Sequence, residues 1–366
     1  MQSKKKILIC PLDWGIGHAT RCVPLINKLR ARNFEVLVAA GGRTLAYLEN
    51  EFPDIKYIQF RGYSVKYPQK GNMMLKMLAS APRILKNIYA ENLDLQQIIK
   101  AYKISAVISD NRFGCWSKQV PSIYISHQIS VKAPSGFRFL EGLLFRFHSF
   151  FINKYDQCWI PDYKNTPNLS GGLSHLKKPK INHFFIGPLS RFNENLRPVK
   201  MTFSHELLAI VSGPEPQRSI FENILIEQLR SLPLKALILS GKPEENTNKQ
   251  IQKNIRICSN LPTADLAQAI NQAEIVVCRP GYSTLMDLAA FGKKALLVPT
   301  PGQTEQEYLA NFHAAQKRFY AVKQSGLNLK DDLPKAHNYQ GFRLQYDAAG
   351  LETALDSFQL LIDKQS

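Results

Sequence analysis

The sequence lacks the features that would place the chain across a membrane, in an oxidising compartment or at a metal centre. Its 366 residues contain no run of 18 or more apolar residues, so no segment is predicted to span a bilayer. The six cysteines form no C-x-x-C pair, and the histidines show no metal-ligand spacing. The basic N-terminus has no long apolar core of the secretory type. We therefore predict a cytoplasmic protein with no cofactor and no bound metal.

Acidic residues are scarce in the first half of the chain. Residues 1–200 carry 30 Lys and Arg against 12 Asp and Glu, whereas residues 201–366 carry 17 of each. The formal net charge of +18 therefore belongs to the first half. Either an anionic partner, such as a membrane surface or a phosphorylated acceptor, or a basic surface kept for solubility would explain this asymmetry. Nucleic acid is disfavoured as a partner, because the cationic residues are scattered and form no aromatic RNP motif.

Short apolar runs alternate with helical patterns in two successive series, which begin with KKILICPL and ELLAIVSG. Their continuous apolar character is typical of strands covered on both faces, as in a parallel sheet between helices. We predict an α/β protein with two doubly wound, Rossmann-like domains that face each other across a cleft. The predicted domains cover residues 1–187 and 204–366, with a linker over 188–203. The final helix is free to pack back on the first domain.

The stretch LDWGIGHATRC, residues 12–22, follows the first predicted strand. Gly15 and Gly17 allow a tight turn, and a helix that begins near His18 points its free N–H groups towards a ligand. His18 is a candidate general base for an acceptor hydroxyl, or it only caps the helix or packs. Asp13 either orients this imidazole or is an ordinary turn residue. The stretch lacks the third glycine of G-x-G-x-x-G, which disfavours a nicotinamide cofactor.

Two further predicted strands of the first series end in polar groups. Asp110, Asn111 and Arg112 follow the run SAVIS, and His127 follows the run IYIS. With Arg21 from the first helix, these side chains are candidates for binding the acceptor or for assisting the base. A plain carboxylate–arginine pair at the strand end is the alternative.

The strongest signal lies in residues 278–313. Gly281 turns the chain after a strand, and Ser283 and Thr284 begin a helix whose hydroxyls and amides would hold a diphosphate without a metal. Asp287 comes one helical turn after Ser283, on the side that would reach ribose hydroxyls.

Two neighbouring loops supply further candidates, although helix caps and polar loops would explain the same residues. One loop carries amide and carboxylate groups that suit a hydroxyl-rich ligand. The other follows the first strand of the second series and would face a phosphate. The first loop contributes Gln303, Glu305 and Gln306, and the second contributes Ser212, Gly213 and Arg218.

Residues 136–151, GFRFLEGLLFRFHSFF, mix Phe and Leu with Arg138, Arg146 and His148. Such a segment is too short to cross a bilayer but is typical of a helix that lies in an anionic membrane interface. A buried core helix is the other interpretation.

The G-x-G-H-x-x-R stretch at 15–21 and the segment 278–313 together resemble the inverting GT-B glycosyltransferases of family 28, the group of the lipid II-forming N-acetylglucosaminyltransferase. The resemblance covers nearly the whole chain in architecture, and the two segments carry its specific motifs. It implies a nucleotide-sugar donor, usually a UDP-sugar, on the C-terminal domain and an acceptor on the N-terminal domain.

The resemblance also assigns individual residues. The family's glycine-rich loop and histidine match Gly15, Gly17 and His18, although this loop has fewer glycines. Its ribose-binding acid matches Asp287, where Asp replaces the usual Glu. The diphosphate contacts fall on Gly281, Ser283 and Thr284, and the sugar-contacting glutamine falls on Gln306, followed by Glu307 in place of a second glutamine.

Two absences favour the inverting, metal-independent branch of this fold. Retaining enzymes carry a glutamate eight residues before a second acid, whereas Arg279 stands eight residues before Asp287. The D-x-D motif of the metal-dependent glycosyltransferase fold does not occur. We predict a glycosyltransferase that moves a sugar from a nucleotide sugar, such as UDP-N-acetylglucosamine, to a carbohydrate or lipid-linked acceptor. The alternatives are a GT-B-fold epimerase of UDP-sugars and a non-catalytic nucleotide-sugar-binding protein.

Overall fold

The computed structural model describes residues 4–60, 62, 73–192, 203–242, 245–343 and 349–365, without the side chains of 73–81 and 135. The chain divides into two compact units, one of Met1–Leu189 with Tyr346–Ser366 and one of Ser190–Gln345. Of the predicted linker, residues 193–202 lie outside the described part.

The first unit is built on a seven-stranded sheet in which every neighbouring pair is parallel. The strand order is β3-β2-β1-β4-β5-β6-β7. Helices cover the sheet, and a 3-10 helix spans Ser135–Leu140. The strands are β1 (Lys6–Pro11), β2 (Glu35–Ala40), β3 (Lys56–Gln59), β4 (Ala106–Asp110), β5 (Ser122–Ile125), β6 (Gln157–Ile160) and β7 (Asn182–Phe185). The helices that precede the second unit are α1 (Ile16–Ala31), α2 (Gly42–Glu51), α3 (Met73–Tyr102), α4 (Glu141–Ile152) and α5 (Gly172–His175).

The second unit repeats this plan with strand order β10-β11-β9-β8-β12-β13-β14. Only the β10–β11 pair is antiparallel among the described strand pairs of this sheet. Its strands are β8 (Leu207–Ile210), β9 (Ala236–Leu239), β10 (Asn248–Gln252), β11 (Ile255–Cys258), β12 (Ile275–Cys278), β13 (Lys294–Leu297) and β14 (Tyr320–Ala321). Its helices are α6 (Gln217–Leu229), α7 (Thr263–Gln272), α8 (Tyr282–Phe291), α9 (Thr304–Ala315) and α10 (Leu329–His337), with a 3-10 helix at Gln324–Gly326.

The apolar runs in the sequence explain the two sheets. Strands β4, β5, β6, β9 and β12 are buried at every position, because helices cover both faces of a parallel sheet. Each sheet reverses its strand order at one place, between β1 and β4 and between β8 and β12. Open parallel sheets bind ligands at the carboxyl ends of the strands beside such a reversal. The fold therefore directs attention to the loops that follow these four strands.

The last helix, α11 (Ala349–Gln365), packs on the first unit although it follows the second in sequence. Phe358 lies against Trp159 with ring centroids 5.8 Å apart, and Glu352 pairs with Lys28 and Arg32. The predicted boundary of 204–366 therefore differs from the observed division, which returns the chain to the first unit at Tyr346. Among the described helices, none combines the length and apolar character needed to cross a bilayer.

Candidate active site

The loop between β1 and α1 presents His18 in the first turn of the helix. Gly15 is the N-cap residue with φ 153° and ψ 162°, a conformation that L side chains rarely adopt. It therefore brings no capping side chain, and the helix begins at Ile16, two residues earlier than the predicted start near His18. The amide of His18 donates to the carbonyl of Gly15 over 3.3 Å.

His18 lies in a cluster with a carboxylate and a guanidinium. Its Nδ1 is 2.9 Å from Oδ2 of Asp110, and Nε of Arg21 donates to both oxygens of Asp110 at 2.8 Å. Nη1 of Arg21 is 3.5 Å from Nδ1 of His127. The side chain of His18 is 16% exposed, whereas those of Arg21 and Asp110 are 3% and 1% exposed. The cluster is therefore interior except at the imidazole.

The contacts of the ring fix its tautomer. Nη2 of Arg21 is 2.7 Å from the same Nδ1 that faces Asp110, and both cannot be satisfied by one neutral nitrogen. A carboxylate only accepts hydrogen bonds, and Arg21 already has Asp110 as its acceptor. We therefore assign the Nδ1 proton to the bond with Asp110. This leaves Nε2 on the far side of the ring as the free acceptor.

Burial and charge keep this imidazole neutral. Burial lowers the pKa of His18 below its usual value, the Arg21 guanidinium lowers it further, and Asp110 opposes both effects. Burial alone would raise the pKa of Asp110, but Arg21 and His18 hold it below its usual value. At neutral pH the pair is thus an unprotonated imidazole beside an ionised carboxylate, which is the state that a general base requires.

Asp13, the residue that the sequence offered as the partner of His18, lies elsewhere. Its carboxylate accepts from the amide of Thr44 at 3.4 Å and approaches Gly42, at the start of α2. The position beside the imidazole belongs to Asp110 instead, because β1 and β4 are neighbours and their ends meet. Asp13 is therefore a turn residue that supports α2.

The other strand-end candidates have different surroundings. Arg112 is fully buried, where Nε donates to Glu91 over 2.9 Å and the guanidinium stacks 4.2 Å from the Phe60 ring centroid. Because Glu91 balances its charge and none of its surface is exposed, Arg112 supports the end of β4. We therefore do not expect it to bind the acceptor. Asn111 accepts a hydrogen bond from the Tyr124 hydroxyl at 2.9 Å. His127, 6% exposed, stays in the His18 cluster through Arg21.

In the second unit, the loop after β12 leads into α8. Gly281 is the N-cap of α8 and the amide of Leu285 donates to its carbonyl at 3.0 Å. The N–H groups of Tyr282, Ser283 and Thr284 precede this first intrahelical bond, so they lie at the positive end of the helix dipole. The hydroxyls of Ser283 and Thr284 are half-buried in the same turn. This turn has the donors that a diphosphate needs.

Thr300, which the sequence did not suggest, lies in the loop that follows the neighbouring strand β13. Its side chain is 2% exposed, and its Oγ1 has no hydrogen-bond partner among the described residues. A Cβ placed on Gly213, in the loop after β8, would lie 3.5 Å from this oxygen. A buried hydroxyl without a protein partner is costly, and a water molecule or a ligand group would satisfy it. The only available sequence signal was a threonine between two prolines after a strand.

The predicted sugar loop also folds beside Thr300. Oε1 of Gln306 accepts from the amide of Thr300 at 2.8 Å, which leaves the Gln306 amide nitrogen to donate elsewhere. Gln303 is the N-cap residue of α9, and Glu305 lies in its first turn. Ser212 and Gly213, with φ 114° at Gly213, follow β8 on the other side of β12. These loops therefore share the reversal point of the second sheet.

Two charged candidates of the second unit are already paired. Arg218 is 3% exposed, contacts Glu215 and donates to Glu222 over 2.9 Å. Its positive charge is therefore balanced by one carboxylate just before α6 and one within it. We therefore do not expect Arg218 to bind the phosphates.

Asp287 accepts from Ser190 Oγ at 2.8 Å and lies 3.8 Å from Arg191. Burial raises its pKa to about 6, so Asp287 is mostly ionised at neutral pH, and a ribose hydroxyl would compete with Ser190.

Arg279 lies two residues before Gly281, the N-cap of α8, and is fully buried. Its Nη1 donates to the carbonyls of Val298 and Pro299, and its guanidinium carbon lies 4.0 Å from the centroid of the Phe221 ring. Burial lowers its pKa to about 10, so it remains a cation. The place of the retaining enzymes' glutamate is thus occupied by a buried positive charge.

The segment 136–151 is neither wholly exposed nor wholly buried. Phe139, Leu143 and Phe150 are 78%, 57% and 55% exposed, whereas Phe151 and His148 are buried. Leu143 and Phe150 are seven residues apart in α4 and so share a face, and Phe139 lies in the 3-10 helix that precedes α4. We call these three exposed side chains the α4 patch. The segment therefore has both exposed and buried apolar side chains, and its attachment to a membrane stays a prediction.

Comparison with known protein families identifies relatives of the chain. Residues 216–338 match the model of the glycosyltransferase family 28 C-terminal domain, and residues 5–134 match that of glycosyl transferase family 1. The chain is 30% identical over 345 residues to a protein of Histophilus somni (strain 129Pt), covering 90% of this chain and 87% of the relative. That relative is named UDP-N-acetylglucosamine--N-acetylmuramyl-(pentapeptide) pyrophosphoryl-undecaprenol N-acetylglucosamine transferase.

Solved structures share the architecture. The calicheamicin glycosyltransferase CalG4 superposes with a TM-score of 0.68 at 10% identity, covering 99% of both chains. MurG of Acinetobacter baumannii superposes with a TM-score of 0.55 at 13% identity, covering 97% of this chain and 99% of its own. At these identities the likeness concerns the fold alone. Together with the full-length relative, these findings identify the chain as a glycosyltransferase that belongs to family 28 of the GT-B fold.

Proposed function

We propose that this glycosyltransferase inverts the configuration of a sugar that it moves, without a metal, from UDP-N-acetylglucosamine to the hydroxyl of a lipid-linked or cell-envelope glycan. The observation that carries the proposal is the His18–Asp110–Arg21 cluster at the strand-order reversal of the first sheet. The UDP-N-acetylglucosamine donor and the polyprenyl-linked acceptor are suggested by the name of the full-length relative.

The first unit would activate the acceptor. Nε2 of His18 takes the proton of the acceptor hydroxyl while its oxygen bonds to the anomeric carbon of the donor. Asp110 stabilises the imidazolium that forms and holds the ring by its Nδ1 proton. The bond from the anomeric carbon to the diphosphate oxygen breaks, and UDP leaves with its electron pair. A single displacement of this kind inverts the anomeric centre.

The second unit would hold the donor. The first turn of α8, with Ser283 and Thr284, faces the growing charge of the departing diphosphate, so helix amides perform the task that a metal performs elsewhere. The unpartnered Oγ1 of Thr300 finds a partner on the donor. The Gln306 amide nitrogen is free to contact the sugar, and Asp287 reaches the ribose. The cation at Arg279 supports inversion, because it leaves no carboxylate at that position to assist retention.

A transfer assay and a binding assay test the two halves of the proposal. Purified protein with UDP-N-acetylglucosamine and a lipid-linked acceptor should release UDP and form a product of inverted configuration in EDTA. His18→Ala should abolish this transfer while UDP still raises the melting temperature, and a Ser283→Ala/Thr284→Val variant should lose that thermal shift. Transfer by His18→Ala near the wild-type rate would refute the base assignment. Formation of an epimer from UDP-N-acetylglucosamine alone would favour the epimerase alternative.

The basic first half of the chain and the α4 patch support attachment to an anionic membrane surface that carries the acceptor. Apolar side chains beside exposed Arg138 and Arg146 match acyl chains and anionic headgroups respectively. The patch variant Phe139→Ser/Leu143→Ser/Phe150→Ser should lose flotation with phosphatidylglycerol vesicles. A control variant with serine at two exposed apolar positions elsewhere should keep it; these are Ile220 and Leu360. Equal flotation of the patch variant and the control would contradict membrane attachment through this face.

A further inference from the structure

A cavity of the first unit lies away from the His18 cluster. Its volume is about 700 Å³, which is within the range of small-molecule sites. The walls are the edge strand β7, the loop and short helix α5 that precede it, and the first turn of α11. In the sheet order, β7 is four strands from β1, roughly 19 Å at ~4.8 Å per strand. The cavity is therefore separate from the imidazole and from its carboxylate.

The cavity is lined by bases and by no acid among the described residues. Its charged and titratable side chains are Lys164, Lys178, His175 and His183. Neither lysine makes an ion pair or hydrogen bond with the described part of the chain, whereas lysines that face the rest of α11 do: Lys28 pairs with Glu352. Two unpaired ammonium groups in one concave surface indicate an anionic occupant.

The walls of the cavity are held in place by buried contacts. Nε2 of His175 lies 3.3 Å from Oδ2 of Asp162, a fully buried carboxylate that also accepts from the amides of Leu169 and Ser170. The His175 ring stacks on Phe185 at 4.9 Å between centroids. The imidazole that faces the cavity therefore has a fixed orientation.

Gly350 lets the first turn of α11, one wall of the cavity, lie close to strand β7. A Cβ on Gly350 would lie 2.3 Å from the carbonyl oxygen of Phe185, so only glycine lets the first turn of α11 approach the end of β7. This 17-residue helix points the positive end of its dipole to the same cavity wall. The helix dipole adds to the positive electrostatic potential of the two lysines. The inference of a ligand depends on the cavity and its basic side chains.

From these observations we propose that the cavity binds a phosphate or diphosphate group at a site distinct from the transfer site. Lysine is a common phosphate ligand because its three donors adapt to the tetrahedral oxygens. Two ammonium groups match a group of two or more negative charges better than a single carboxylate. The group has two possible sources, the diphosphate of a polyprenyl carrier and a free phosphorylated metabolite.

Titration calorimetry with inorganic pyrophosphate tests the site on the full-length protein. Saturating UDP is present throughout, so that the diphosphate site of the second unit is occupied. We expect one remaining pyrophosphate site, whose affinity falls at least about tenfold in Lys164→Ala/Lys178→Ala. The matched control Lys100→Ala/Lys180→Ala removes two exposed lysines of the same unit that do not line the cavity, and it should bind as the wild type does.

The outcomes separate this site from the proposed function. Unchanged binding in Lys164→Ala/Lys178→Ala, or no pyrophosphate binding in the presence of UDP, would overturn the proposal. If UDP itself fails to bind, pyrophosphate binding that depends on the two lysines still supports the cavity site. A parallel titration with geranyl diphosphate identifies the source: a gain in affinity over pyrophosphate indicates a polyprenyl carrier, and equal affinity indicates a free phosphorylated metabolite.

Discussion

Replacing Asp110 by Asn is the sharpest test of the proposed base. The substitution keeps the size of the side chain but removes the charge that faces Nδ1 of His18 at 2.9 Å. The amide no longer stabilises the imidazolium and can turn its N–H₂ to the ring, which favours the wrong tautomer. We expect kcat to fall roughly 10²–10⁴-fold, the usual contribution of a positioned general base.

The pH dependence separates this role from a structural one. Transfer requires unprotonated His18, so kcat should rise with pH with a midpoint below the ordinary histidine pKa, since burial and Arg21 lower the pKa of His18. Asp110 opposes this shift. In Asp110→Asn the acidic limb of the profile should therefore move to lower pH while its plateau falls. A purely structural defect would lower the plateau without moving the limb.

A double-mutant cycle completes the test. If Asp110 acts through the imidazole, Asp110→Asn should cost little further rate in a His18→Ala background. An equal loss in both backgrounds would refute the reasoning. Because Arg21 is 3% exposed and loses its carboxylate, stability should fall by about 3–5 kcal/mol, so urea unfolding must accompany the kinetics. Asp13→Asn is the matched control, and its kcat should stay close to wild type.

Three further predictions concern other parts of the molecule. Thr300→Val should leave the free energy of unfolding unchanged or raise it by about 1 kcal/mol, yet weaken donor binding about tenfold by calorimetry, because the orphaned hydroxyl would bond only to the donor. Gly350→Ala should destabilise the protein by about 1–3 kcal/mol in urea, since its Cβ would meet the Phe185 carbonyl, whereas Gly142→Ala in open space should not. Burial lowers the pKa of His148 to about 4, so its stabilising contribution is present above pH 6.5 and is lost as the pH falls towards 4. His148→Gln should therefore reduce the loss of unfolding free energy between pH 7 and pH 5 by about 2 kcal/mol.

The sequence predicted most of the two sheets, because central parallel strands are apolar on both faces. It did not suggest β7, β10 or β14, which are edge strands of the two sheets. Strand β10 is NKQIQ with nearly every side chain exposed, and β7 is only partly buried. An edge strand forms backbone bonds on one side and needs no apolar run, so its sequence resembles a loop.

Basic side chains were the least predictable members of the candidate sites. Arg112 follows the end of β4 and Arg218 lies in the first turn of α6, places where ligand contacts are common, yet each is buried against carboxylates of the chain. Nothing in the local sequence around Arg112 indicates Glu91 as its partner. Whether a charged residue is buried in an ion pair or available to a ligand depends on which element packs over it. The local sequence does not determine that packing.

The sequence by itself determined the alternation of strands and helices and the chemistry of the loops that follow them, because apolar periodicity and turn residues act over a few neighbouring positions. Only the tertiary structure decided which groups work together. His18 and Asp110 are 92 residues apart in the chain and 2.9 Å apart in space. They meet because β1 lies beside β4 rather than beside the strand that follows β2, and that order is set by long-range packing.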